Sequence, residues 1–306
     1  MVRHFLRLSD YTEEELLDLL DIADVLKREK KMGAARRPLE GRTLAMFFSK
    51  SSTRTRVSCE AGMTELGGHA IMLSQESSQV GRGEPERDTA RVLSRYVDAV
   101  MIRTFSQESV EELAKWSTIP VINGLTDLLH PCQLMADLMT ARERLGRIDR
   151  LKVAWIGDGN NMARSWVEAA MVLGFKLTLA CPKGYEVEKD WIERANAGKG
   201  SVTVAPTPLE AARGANVVTT DVWASMGQES EKTARLQAFE GFTVDSGIME
   251  AALPEAVFLH CLPAHRGEEV TDEVIESPRS AVWDEAENRL HVQKAILLKL
   301  LKPEMF

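Results

Sequence analysis

Nine apolar runs of six to eight residues, spaced by helix-like stretches, constrain this chain more than any other feature. The first four are TLAMFF (43–48), HAIMLS (69–74), DAVMIR (98–103) and IPVING (119–124). A helical segment from Pro131 to about Leu145 follows. The series then restarts with LKVAWIGD (151–158), KLTLACP (176–182), SVTVAP (201–206), ANVVTT (215–220) and AVFLHCLP (256–263). Runs that are apolar throughout, rather than alternating, fit strands buried on both faces. Helices between them supply the crossovers that parallel pairing needs. The expected fold is α/β, with two domains, each a mostly parallel sheet covered by helices on both faces. Residues 1–135 form the first domain, with a C-terminal helix over 286–306 packing back on it. Residues 148–285 form the second, and 136–147 are an interdomain helix.

The length of 306 residues suits two cores rather than one. Near the start, Thr12 and Glu15 have capping-box spacing, and Leu16, Leu19, Leu20, Ala23 and Leu26 fall on one helical stripe. The net charge of −8 argues against a general nucleic-acid binder, which needs a basic surface for phosphate. Cys59, Cys132, Cys181 and Cys261 are far apart, with neither a CxxC pair nor zinc-ligand spacing, so no metal site and no disulfide framework is expected. The N-terminal stretch turns acidic before any signal-like apolar segment, and no apolar run approaches the roughly 20 residues needed to span a bilayer. A reducing cytoplasm is the expected compartment.

In open parallel sheets ligands bind beyond the carboxyl ends of the strands. The residues after each run are therefore where chemistry is expected. They are SKSSTRT after 43–48, Arg103 and its followers after 98–103, GLTDLLHPCQ around 124–133, GDGNN at 157–161, DVWASMGQE after 220 and CLPAHRGEE after 260. Most of the unusual polar clusters of the chain sit at these tips.

Ser52 can cap a helix beginning with Thr53, Arg54 and Thr55 and ending near Gly67 and Gly68. A helix start offers open N–H groups and a positive end, and an arginine adds a fork suited to phosphate. No GxxxxGK[ST] is present, so a small phosphate compound fits better than a nucleoside triphosphate. GDGNN fails as a dinucleotide fingerprint because its third glycine position is Met162. Asn161 then reads as an amide facing a ligand, or as a turn or cap residue. His130 precedes a Pro131 placed as a first helical residue, and His130 and Gln133, three apart, can face one ligand. His260 and Cys261 are neighbours on a strand, which places their side chains on opposite faces and disfavours a Cys–His ion pair. Leu262–Pro263 is a candidate cis bond.

SSTRT, HPCQ, DVWASMG and HCLP, in this order, resemble the transcarbamylase family and its ornithine branch, over essentially the whole chain. The resemblance implies transfer of the carbamoyl group of carbamoyl phosphate to the δ-amine of L-ornithine, giving L-citrulline and phosphate with no cofactor, within arginine metabolism. It implies that Ser52, Thr53, Arg54 and Thr55 bind the phosphate. Arg103 bridges phosphate and carbonyl oxygen, His130 polarises that oxygen, and Gln133 holds the carbamoyl NH2 with backbone carbonyls around Cys261 and Leu262. Arg289 reaches back to the carbamoyl-phosphate site. Asn161, Asp221, Ser225 and Met226 grip the amino-acid end of ornithine, with Asp221 on the ammonium. Arg103, His130 and Cys261 are the expected catalytic residues. A cationic or desolvated site near Cys261 would lower the amine's pKa from its lysine-like value of about 10.4. The family also implies a homotrimer, each site completed by Gln79 of a neighbour, in the loop SSQVGRGEPERD. Some members carry lysine where this loop has Gly83, with Arg82 beside it. A putrescine or acylated-ornithine transcarbamylase is disfavoured by Asp221 and SMG, and a nucleotide-cofactor oxidoreductase by the failed glycine pattern.

Overall fold

A computed structural model describes residues 2–34, 36–49, 52–74, 84–225 and 229–305. Two compact units are present: residues 1–135 with 289–306, and residues 136–288. The first holds a four-stranded sheet of β1 (Thr43–Phe48), β2 (His69–Ser74), β3 (Ala99–Arg103) and β4 (Val121–Leu125), in the order β2-β1-β3-β4. Every pair is parallel. Its helices are α1 (Glu13–Lys31), α2 (Thr53–Glu65), α3 (Glu86–Leu93) and α4 (Gln107–Trp116), followed by α5 (Pro131–Leu145), which begins in this unit. All residues of β3 are buried, as the uniformly apolar run anticipates for a strand covered on both faces. Phe5 lengthens the β4 edge by a bridge to Ile122, with Phe5 N–H donating to Val121 O at 2.8 Å.

The second unit holds β5 (Lys152–Ile156), β6 (Lys176–Ala180), β7 (Ser201–Val204), β8 (Val217–Thr220) and β9 (Val257–His260), in the order β7-β6-β5-β8-β9 and again all parallel. It is covered by α6 (Asn161–Leu173), α7 (Lys189–Ala197), α8 (Pro208–Ala212), α9 (Lys232–Ala238), α10 (Ser246–Ala251) and α11 (Asp272–Ile275). Helix α12 (Val282–Leu301) starts in this unit and ends in the first.

Local sequence accounts for the element ends. Thr12 and Glu15 form the reciprocal capping box at α1. Thr207 caps α8, with Pro208 in its first turn. Gly174 closes α6 in the left-handed conformation that glycine tolerates. Arg279 bonds the carbonyls of Met249, Leu253 and Ala256, fixing the approach to β9.

Candidate functional site

Strand order fixes where the first unit can hold a ligand. β1 lies between β2 and β3, so the order reverses there, and crevices open at the carboxyl ends of such strands. The two tips are the segment leading to Ser52 and residue Arg103, and Phe48 pairs with Arg103 across the sheet. Ser52 Oγ accepts the Thr55 N–H at 3.2 Å and caps α2. Thr53 is exposed, Ser52 and Arg54 are half-buried, and Thr55 is buried.

Arg289, only 4% exposed, reaches this helix start from α12. It donates to Thr55 Oγ1 at 2.5 Å and to Gln133 Oε1 at 2.8 Å. One buried guanidinium thus ties the start of α2 to the start of α5. Its Nε has no hydrogen-bond partner among the described residues, a buried donor of the kind that ligands satisfy. The His130 carbonyl accepts the N–H groups of Gln133 and Leu134 at 3.1 and 3.2 Å, giving α5 its first acceptor. Burial holds the His130 imidazole well below its ordinary pKa, helped by the positive charges of Arg289, Arg103 and Arg54. The shift favours the neutral ring near pH 7, a form whose one N–H can donate a hydrogen bond.

A hydrogen-bonded turn behind His130 escapes sequence reading. Gln107 Oε1 accepts from Thr126 Oγ1 at 2.8 Å and from Asn123 Nδ2 at 3.2 Å. Thr126 Oγ1 in turn accepts the Leu129 N–H at 3.1 Å. TDLL carries the signal of a threonine turn, but Gln107 lies 19 residues upstream and nothing local links the two.

In the second unit the strand order reverses between β5 and β8. Asn160 follows β5 and caps α6, its Oδ1 accepting the N–H groups of Met162 and Ala163 at 2.9 and 3.2 Å. Its Nδ2 donates to Asp221 Oδ2 at 2.8 Å. The asparagine bonded to Asp221 is thus Asn160, whereas Asn161, singled out from the sequence, is the half-buried first residue of the helix. Gly159 is present because of its neighbours: a Cβ there would lie 2.5 Å from the Val187 backbone nitrogen.

Asp221 Oδ1 accepts the Val222 N–H at 2.8 Å and lies 3.1 Å from Cys261 Sγ. Burial, then the carboxylates of Asp221, Glu285 and Asp137, push the Cys261 thiol well above its ordinary pKa. The shift favours the protonated thiol over the nucleophilic thiolate. Of the two alternatives expected there, a cationic or a desolvated site, these negative charges speak for the desolvated one, burial being the largest cause acting on Cys261.

The face argument for His260 and Cys261 also needs correcting. β9 ends at His260 and Leu262 turns to φ 57°, so strand alternation stops between the two residues. Donor atoms of Asp221, His260 and Cys261 lie within 4.8 Å of one another. The His260 ring is committed elsewhere: Nδ1 accepts the Leu262 N–H at 2.8 Å, and Nε2 lies 3.1 Å from Glu269 Oε1. The Leu262–Pro263 bond is cis.

A buried ion pair found only in three dimensions holds the residues before Ser225. Asp158 meets Arg235 Nη1 at 2.8 Å, and the same nitrogen donates to Trp223 O at 2.9 Å. The guanidinium also lies 4.9 Å from the Tyr185 ring centre. Ser225 is half-buried. Met226, Gln79, Arg82 and Gly83 fall outside the described residues.

Comparison with known proteins bears on both units. Residues 3–143 match the carbamoyl-P binding domain of aspartate/ornithine carbamoyltransferase, and residues 149–300 match its Asp/Orn binding domain. An ornithine carbamoyltransferase of Geobacter metallireducens is 58% identical over 305 residues, covering 99% of this chain and 100% of that protein. The anabolic ornithine carbamoyltransferase of Pseudomonas aeruginosa is 51% identical over 301 residues, 98% of each chain. The ornithine carbamoyltransferase structure from Pyrococcus furiosus superposes with a TM-score of 0.93 at 51% identity, covering 97% of this chain and 96% of that one. With both of its units matched, the chain belongs to the aspartate/ornithine carbamoyltransferase family.

Proposed function

We propose that this protein is an ornithine carbamoyltransferase, converting L-ornithine and carbamoyl phosphate to L-citrulline and phosphate. The observation that carries the reading is the set of three guanidiniums, of Arg54, Arg103 and Arg289, acting on a buried neutral His130 beside a capped helix start. This set has the charge and donors for a phosphorylated carbonyl compound. Ser52, Thr53, Arg54 and Thr55 take the phosphate. Arg103 and the His130 N–H take the carbonyl oxygen, where charge builds in the tetrahedral intermediate. Preplaced donors of this kind contribute about 2.7–4 kcal/mol each to the barrier reduction. Gln133 takes the carbamoyl NH2, positioned by Arg289.

In the second unit Asp221 takes the α-ammonium of ornithine, and Asn161, Ser225 and Met226 take its carboxylate. The backbone carbonyls of Cys261 and Leu262 are assigned to the carbamoyl amide. The neutral Cys261 thiol has a packing and hydrogen-bonding role in the transfer rather than a covalent one. A homotrimer completed by Gln79 of a neighbour, and a reducing cytoplasm suited to four separate free thiols, belong to the same reading. No helix among the described residues is long and apolar enough to cross a membrane.

A colorimetric ureido assay over a panel of amines tests the activity. Citrulline should form from ornithine, with little product from putrescine. Equal turnover of putrescine, or none of ornithine, refutes the assignment. Light scattering on the purified chain tests the trimer.

A further inference from the structure

A second cluster lies beyond HCLP, in the tight turn that follows it. Glu268 N–H donates to His265 O at 2.9 Å and Gly267 N–H to Val270 O at 2.8 Å, with Gly267 at φ +88°. The turn gathers three ligating side chains. His265 Nδ1 lies 3.8 Å from Glu268 Oε2 and 3.9 Å from Glu269 Oε2, and each residue offers one donor atom within 4.8 Å of those of the other two.

Such a cluster alone says little, since exposed acids gather without a ligand. The second observation is Glu269, whose side chain is 0% exposed. Its Oε1 is engaged twice, by the His265 N–H at 2.6 Å and by His260 Nε2 at 3.1 Å. Its Oε2 has no hydrogen-bond partner among the described residues and faces His265 Nδ1. A buried carboxylate oxygen without a partner is costly, and a cation is one of the few groups that satisfies it. Glu268 Oε1 is held by Lys232 Nζ at 3.1 Å, which leaves its Oε2 on the cluster.

We propose that His265 Nδ1, Glu268 Oε2 and Glu269 Oε2 form a binding site for a divalent transition-metal ion of zinc type, with water completing the shell. Tetrahedral zinc with nitrogen and oxygen donors at about 2.0–2.2 Å needs those donors roughly 3.3–3.6 Å apart. The two separations from His265 exceed that by a few tenths of an ångström, a closure open to His265, whose side chain is 45% exposed. An imidazole beside two carboxylates favours zinc, cobalt or nickel over magnesium or calcium. The bonds on Glu269 Oε1 are the outer partners that orient a ligating carboxylate. Through Glu269 the ion would be one hydrogen bond from His260, the residue before Cys261.

The group of Asp221, His260 and Cys261 offers donors of its own, so the test separates the two clusters. The untagged full chain, stripped with chelator, is titrated with Zn2+ by calorimetry and with Co2+ by absorption. The Cys261→Ser variant serves as background. The expected result is one retained site, with a cobalt spectrum lacking sulfur-to-metal charge transfer and no competition from excess Mg2+. Adding His265→Ala should weaken Zn2+ binding at least about 10-fold. Glu268→Gln, on a partly exposed residue, repeats the loss without disturbing the buried carboxylate. The proposal is overturned if binding vanishes with Cys261→Ser alone, if both further variants bind as tightly as the background, or if the parent chain binds no zinc.

Discussion

Asn160 does two separable things, and substitutions can divide them. Its Oδ1 caps α6 and its Nδ2 tethers Asp221 Oδ2 at 2.8 Å. A side-chain cap contributes about 1 kcal/mol, and a hydrogen bond to a charged group about 1.5–3 kcal/mol. Asn160→Ala removes both, for a loss of about 2.5–4 kcal/mol. Asn160→Ser keeps an acceptor for the cap, so its loss should fall to about 1.5–3 kcal/mol. Asn160→Asp also keeps the cap but sets a second carboxylate against Asp221. Two like charges about 4 Å apart repel by about 4 kcal/mol at an effective dielectric constant near 20. Urea unfolding at pH 7 should therefore rank the proteins parent, Ser, Ala, Asp. Asp221 keeps its bond from the Val222 N–H, so it is loosened rather than released. If misplacement costs the ornithine complex 1–2 kcal/mol, the KM for ornithine rises roughly 5- to 30-fold, while that for carbamoyl phosphate stays unchanged. Refutation would be an Asn160→Ser protein with the parental ornithine KM, or an Asn160→Asp protein as stable as Asn160→Ser.

Arg289→Met should let the His130 pKa climb, because the Arg289 charge is the largest electrostatic cause of its depression after burial. With the folded value held low, the unfolded chain binds the extra proton below about pH 6.5, so stability falls there by up to about 1.4 kcal/mol per pH unit. The variant should show a shallower fall between pH 6.5 and 5 in urea midpoints; an unchanged slope rejects the coupling. Arg235→Met strands Asp158, and breaking a buried pair costs about 3–5 kcal/mol. Burial already holds the Asp158 carboxyl above its usual range. The stranded acid is therefore tolerated when protonated, and the deficit should grow as pH rises from 5 to 8. A pH-independent deficit would show that Asp158 does not carry it.

What the sequence made legible was local. β1 and β2 begin and end where their apolar runs do, Ser52 caps α2, and α5 begins at Pro131, because each depends on adjacent side chains. Some later runs overreach by a few residues, as LKVAWIGD (151–158) does against β5, since the run continues past the last ladder bond. The tie between Asn160 and Asp221 was not legible, because the two are 61 residues apart and only tertiary structure brings them together. The Asp158–Arg235 pair spans 77 residues and leaves no periodic trace. The sign of the charge around Cys261 was hidden for the same reason, since Asp137, Asp221 and Glu285 are brought together by tertiary structure alone.

That sign has a kinetic consequence. The attacking amine must lose a proton from a lysine-like pKa of about 10.4. Carboxylates near the reacting nitrogen hold the proton on, and desolvation drives it off. The pH dependence of kcat reports ionisation within the bound complex, whereas that of kcat/KM also reports free ornithine. The ascending limb of kcat should therefore record the balance between the two effects. Asp137→Asn removes one opposing charge and should move that limb to lower pH, by up to about one unit. Glu285 is the poorer choice, since its Oε2 accepts the His260 N–H at 2.8 Å and its loss would disturb the end of β9. A cationic site would predict the opposite: with cations dominating, one distant carboxylate would leave the limb almost where it was. A limb that stays fixed, or moves to higher pH, in Asp137→Asn would mean that the acids acting on the Cys261 thiol do not act on the amine.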